Sequence, residues 1–147
     1  MDSWVTILIA GSLVLFIAPG ATTQDSDGFT LETDGFRWEV GANGANAAFI
    51  DKVSGKDFCD KASAPSFAHV AKGGQVVHVA AASEQDGYLA LEFGDAGVRA
   101  VIRAESKGAY MTLEVVAVEG EGADSLTLGQ VALAPRPDET FTVCALA

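Results

Sequence analysis

Between Gln75 and Pro135 the chain repeats one pattern, a short extended run closed by a cluster of turn residues. The runs are QVVHVAAAS, YLALEF, VRAVIRAES, YMTLEVVAVEG and SLTLGQVALA. Between them stand Gln85-Asp86-Gly87, Gly94-Asp95-Ala96-Gly97, Ser106-Lys107-Gly108 and Gly120-Glu121-Gly122-Ala123-Asp124. Glycine reaches positive φ without a steric cost and Asp tolerates the left-handed region, so these clusters predict hairpin connections. Inside the runs apolar residues fall on every second position: Leu89, Leu91, Phe93; Val98, Ala100, Ile102; Met111, Leu113, Val115, Ala117. That period turns one face of each strand to a core. With no helical stretch between the runs, the pattern predicts an all-β chain, an antiparallel β-sandwich or barrel.

The rest of the chain after residue 28 follows suit. Phe29 to Thr33 alternates, Asp34-Gly35 is a two-residue hairpin signal, and Phe36-Arg37-Trp38-Glu39-Val40 alternates again with Phe36, Trp38 and Val40 on one face. Asn43-Gly44 marks a turn before a third strand at Ala47 to Ile50, and Ser54-Gly55 marks another. Residues 62–65 read as a loop, Phe67 to Ala71 as a short strand and Lys72-Gly73-Gly74 as a turn. Beyond Pro135 the run Thr140 to Ala147 is apolar, β-prone and uncapped. It predicts a domain over residues 24–147 that is truncated at its C-terminus, with an unusually apolar sheet face and a chain that is marginally stable or self-associates.

At the other end, Trp4 to Ala18 is apolar and uncharged, shorter than the 20 or so residues of a membrane span, and small residues follow at once. This predicts a signal-peptide helix over residues 1–23, cleaved between Gly20 and Gln24, and export to the periplasm or the medium. An uncleaved anchor or a buried helix are the alternatives. The 147 residues allow one domain, and the net charge of −11 argues against nucleic acid and anionic membranes as partners.

Chemistry-bearing residues are few. The two histidines, His69 and His78, lie nine apart across the Gly73-Gly74 turn, which can bring them together on adjacent strands, and such pairs are mostly incidental. There is neither an HExxH motif nor a Cys/His cluster at zinc spacing, so no metal site is expected. Asp51, Asp57 and Asp60 in one loop, and Glu119, Glu121 and Asp124 in another, offer oxygen for calcium. Neither set has EF-hand spacing, and Lys52, Lys56 and Lys61 interleave with the first, so solvated loops are expected. An exported chain with two cysteines permits one disulfide, Cys59–Cys144, adding about 4 kcal/mol if unstrained, while their apolar neighbours equally suit two buried thiols.

The run NGANAAFIDKVSGKDFCD (Asn43 to Asp60), with YLALEFGDAGVRAVIRAESKGAYMTLEVVAVEG after it, resembles the N-terminal β-sandwich of secreted bacterial glycoside-hydrolase-like proteins. Such modules are galactose-mutarotase-like and precede a catalytic barrel. The resemblance spans roughly residues 29–147 and is most distinctive in the Asn43–Asp60 phrase. It implies a non-catalytic accessory module, partnered by a carbohydrate or a neighbouring catalytic domain, with no catalytic residue of its own here. The alternatives are a small mutarotase-like epimerase, which needs a His acid and a carboxylate base around the sugar, and a free-standing structural protein. For sugar contact the aromatic candidates are Trp38, Tyr88 and Tyr110, with His78 as a polar neighbour, although the Phe36-Trp38-Val40 alternation places Trp38 in the core.

Overall fold

The computed structural model describes residues 28–63 and 65–134. The expected signal helix, Cys144 and the Thr140–Ala147 strand lie outside the described residues. Ten strands follow in order: β1 (Phe29–Glu32), β2 (Phe36–Val40), β3 (Asn46–Asp51), β4 (His69–Lys72), β5 (Gln75–His78), β6 (Ala81–Gln85), β7 (Tyr88–Phe93), β8 (Val98–Ser106), β9 (Met111–Glu119) and β10 (Ser125–Thr127). Among the described residues the one helical piece is a 3-10 turn at Gly94–Ala96. The strands form antiparallel sheets ordered β1-β2-β3, β10-β4-β5 and β6-β7-β8-β9. The described residues are therefore all-β and sandwich-like, as the alternation predicts.

One core serves all three sheets. Phe29 and Leu31 from β1, Trp38 and Val40 from β2, Phe49 from β3, Val70 from β4 and the inner residues of β6, β7 and β8 form a single buried cluster. Leu89, Leu91, Phe93, Ala100 and Ile102 are fully buried, as their period predicts. Aromatic edges knit the cluster: Phe67 lies edge-on to Phe29 and Trp38 at 5.0 Å each, and Trp38 meets Phe49 at 5.6 Å.

Two departures from the sequence reading shape the architecture. The run Gln75 to Ser83 is not one strand. It breaks at Val79-Ala80, leaving β5 with β4 while β6 opens the four-stranded sheet. Val79 is buried at this corner against Gly44, whose position a Cβ would occupy only 2.5 Å from the Val79 side chain, so glycine there lets the two segments meet. The last run also does not continue the meander. Gly120, at φ 101° and so close to the Gly97 carbonyl that a Cβ would lie 2.3 Å away, turns the chain off the sheet. Asp124 then donates its N–H to Ala71 O at 2.8 Å and accepts from Gly73 N at 2.9 Å, and β10 pairs back onto β4.

Bulges decide which side chains face inward. In β8–β9 the register shifts after Val101, so Val118, and not the expected Ala117, stands opposite the buried Ala100. Strand β9 ends its sheet, and Val115, Val116 and Val118 there are 46, 49 and 45 % exposed. In β2–β3 the shift between Glu39 and Val40 sets Asn46 opposite Val40, on the core side, and leaves Ala47 exposed. Asn46 is only 5 % exposed. Its Oδ1 accepts from Trp38 Nε1 at 2.7 Å, and its Nδ2 donates to Pro65 O at 2.6 Å and Gln130 O at 2.9 Å. One amide thus joins β2, β3, the loop before β4 and the segment after β10.

Asn46→Ala strips a buried indole N–H and two carbonyls of their partner, at a cost on the order of 3 kcal/mol. Urea unfolding followed by tryptophan fluorescence is expected to show that loss, with the exposed Ala47→Ser change within about 0.5 kcal/mol of the parent. An Asn46→Ala chain as stable as the parent would contradict this role.

Candidate functional site

The Gly73-Gly74 turn has positive φ at both residues, 56° and 78°, the geometry of a two-residue hairpin whose register follows from the turn. Lys72 therefore opposes Gln75, and three residues further along each strand His69 opposes His78. Val70 and Val77, the neighbouring pair, turn inward, so the two imidazoles stand together on the outer face. Their ring centroids are 5.8 Å apart, edge to face. Thr127 of β10 flanks His69 on the other side.

His69 is held by the segment after β10. Its Nδ1 donates to Gln130 Oε1 at 2.7 Å. An amide oxygen only accepts, so this contact puts the proton on Nδ1 and leaves Nε2 as the ring's acceptor. Gln130 is itself fixed, its N–H donating to Phe67 O at 2.9 Å and its carbonyl accepting from Asn46 Nδ2. A continuous hydrogen-bonded path thus runs from buried Trp38 through Asn46 and Gln130 to the His69 ring. His78 is exposed beside it.

The sugar-contact candidates are not brought together. Trp38 is 6 % exposed, with its indole N–H spent on Asn46, so it offers no face to a ligand from solvent. Tyr88 opens β7 and Tyr110 stands in the connection just before β9, both exposed and with β8 between them. His78 belongs to the β10-β4-β5 sheet. Cys59 is half-buried with its thiol 3.8 Å from Asn46 O, and burial together with the Asp57 carboxylate pushes that thiol upward in pKa. The disulfide expected as one option involves Cys144, outside the described residues.

The acidic loop residues spend their oxygens on the chain itself. Asp51 accepts from Ser54 Oγ and Ser54 N, and these hydrogen bonds hold its carboxyl below the usual range. Burial pushes the Asp57 carboxyl up, but the N–H groups of Phe49 and Cys59, at 2.9 and 3.0 Å, and Lys61 outweigh it and hold it low. Asp60 accepts from Ala62 N and Ser63 N, and hydrogen bonding from Ser63 keeps its carboxyl low as well. In the second loop Asp124 binds Gly73 N and Glu119 pairs with Arg99. Among the described residues no three His, Cys, Asp or Glu side chains converge on a common point, and no helix is long and apolar enough to cross a membrane.

Asn46 and Gln130 were not singled out from sequence. Their signal was a polar amide inside an apolar extended run, NAAFI and LGQVALA, where a polar side chain needs an internal partner. Comparison with known proteins found no matching protein family, no similar curated protein and no matching solved structure.

With Asp51, Asp57 and Asp60 all lowered in the folded chain, the stability they contribute is full above the unfolded carboxyl value of about 3.9. It is lost as pH falls through the lower folded values. Thermal melting is expected to drop on acidification from pH 5 to 3. Asp57→Asn is expected to flatten that drop and to cost about 1 kcal/mol at neutral pH, where an amide oxygen replaces a charged acceptor. An unchanged acid profile in the variant would contradict the assignment.

Proposed function

We propose that the chain is a non-catalytic β-sandwich module, galactose-mutarotase-like in kind, of an exported carbohydrate-active protein, standing beside a catalytic domain. What carries the reading is the use made of the Asn43–Asp60 phrase, the part most distinctive of such modules. Its polar residues serve the module's own framework. Asn43 accepts from Ala45 N, Asn46 joins three segments, Asp51 closes the turn at Ser54, Lys52 reaches Thr33 O and Glu32, and Asp57 holds Phe49 N and Cys59 N. A phrase spent on internal hydrogen bonds belongs to a scaffold. Tyr88, Tyr110 and His78 remain the exposed residues for contact with a carbohydrate or a neighbouring domain. The periplasm or the medium is the compartment that goes with this reading.

The rival, a mutarotase-like epimerase, calls for a histidine working with a carboxylate. The partner of His69 is the Gln130 amide and its neighbour is His78, which favours the scaffold. Polarimetry of freshly dissolved α-galactose and α-glucose decides between them. The purified chain is expected to leave the rate of anomer interconversion at that of buffer, and His78→Ala to behave alike. Acceleration by the parent chain that disappears in His78→Ala would establish the epimerase instead.

A further inference from the structure

The His69–His78 pair has the features of a binding site of its own, beyond the surface contact given to His78 above. We propose that the two imidazoles bind a late first-row divalent metal ion, of the nickel, copper or zinc kind, at the outer face of the β10-β4-β5 sheet. The two residues are direct cross-strand partners, so the backbone fixes their spacing rather than a pair of mobile loops. Two imidazoles on one tetrahedral ion, with metal–nitrogen bonds of about 2.0–2.1 Å, hold their ring centroids about 5 Å apart. The observed separation is 5.8 Å, and the exposed His78 closes the difference by side-chain rotation.

His69 is also prepared as a ligand. Metal-binding histidines characteristically give their other ring N–H to an oxygen, which fixes the tautomer and makes the free nitrogen a better donor. Gln130 Oε1 plays that part at 2.7 Å, and the Gln130 backbone is anchored to Phe67 and Asn46. One ligand is therefore rigid and one adaptable, with water filling the remaining positions. The donor set, two imidazoles without a carboxylate, selects borderline ions over calcium or magnesium, which take oxygen. The net charge of −11 raises the local concentration of any cation.

The test uses the untagged chain, titrated separately with Ni2+, Cu2+ and Mg2+ by isothermal calorimetry, with electron paramagnetic resonance of the copper form. One Ni2+ per chain is expected, and Mg2+ is expected to give no heat of binding. Replacing either ligand, His69→Ala or His78→Ala, is expected to weaken Ni2+ binding at least tenfold. Gln130→Ala, which touches no metal, is expected to weaken it about tenfold through loss of the oriented tautomer. Nitrogen hyperfine structure from two imidazoles should fall to one in His78→Ala. Since His78 is exposed, that variant keeps its fold, and circular dichroism checks it. Saturable binding that is unchanged in His78→Ala would place the ion elsewhere and overturn the site, as would the absence of saturable Ni2+ binding by the parent chain.

Discussion

A single buried amide ties the β1-β2-β3 sheet to the segment before β4 and the segment after β10. Strand pairing explains each sheet separately, but hydrogen bonds within a sheet say nothing about where the next sheet lies. Asn46 supplies part of that information, because its amide meets the Trp38 indole, the Pro65 carbonyl and the Gln130 carbonyl, while Lys72 Nζ to Ala96 O and Asp34 N to Gly108 O tie on the β6–β9 sheet. Its orientation depends on the bulge in β2–β3, which turns Asn46 rather than Ala47 toward the core. A buried amide left unpartnered would be costly, so the geometry that satisfies all three contacts is strongly preferred over near alternatives. Shape comes from the apolar cluster, and the placing of β2 and β3 against the segments before β4 and after β10 comes in part from this amide.

The outer face inherits its order from the same contact. Gln130 is fixed through its main chain to Asn46 and Phe67, and its side chain then sets the ring of His69. A residue in the core thereby positions a residue at the surface, over a path of hydrogen bonds and one short strand. Elsewhere on the surface, ion pairs such as Arg103–Glu114 and Arg99–Glu119 lie exposed across β8 and β9 and contribute little to stability.

Local features of the fold were legible in the sequence, and long-range ones were not. The alternation in YLALEF and VRAVIRAES gives the burial of β7 and β8 position by position, and Gly73-Gly74 gives the hairpin that sets His69 opposite His78. The break at Val79-Ala80 carries no turn residue, because it is made by packing of Val79 against Gly44, thirty-five positions away. Likewise Gly120 to Asp124 has the composition of a hairpin, and contacts with Gly97, Ala71 and Gly73 send it to another sheet. The bulge at Val116 reverses the face of Ala117 and Val118, an outcome that a strict period of two does not contain. Of the candidate site, the histidine pair was foreseeable and its support by Gln130 was not, since it depends on where β10 returns.

Because Asn46 joins separate segments in the core, the Trp38–Asn46–Gln130 contact opens only when the whole domain unfolds. Native-state hydrogen exchange of the Trp38 indole N–H measures this directly, the resonance being assigned by its loss in Trp38→Phe. The expected result is an exchange rate as slow as that of the amides of Leu91 and Ile102 in the central strands, with the same dependence on denaturant. Exchange orders of magnitude faster than those amides, and insensitive to denaturant, would show that the contact opens locally, and the amide would then not be what holds the segments together.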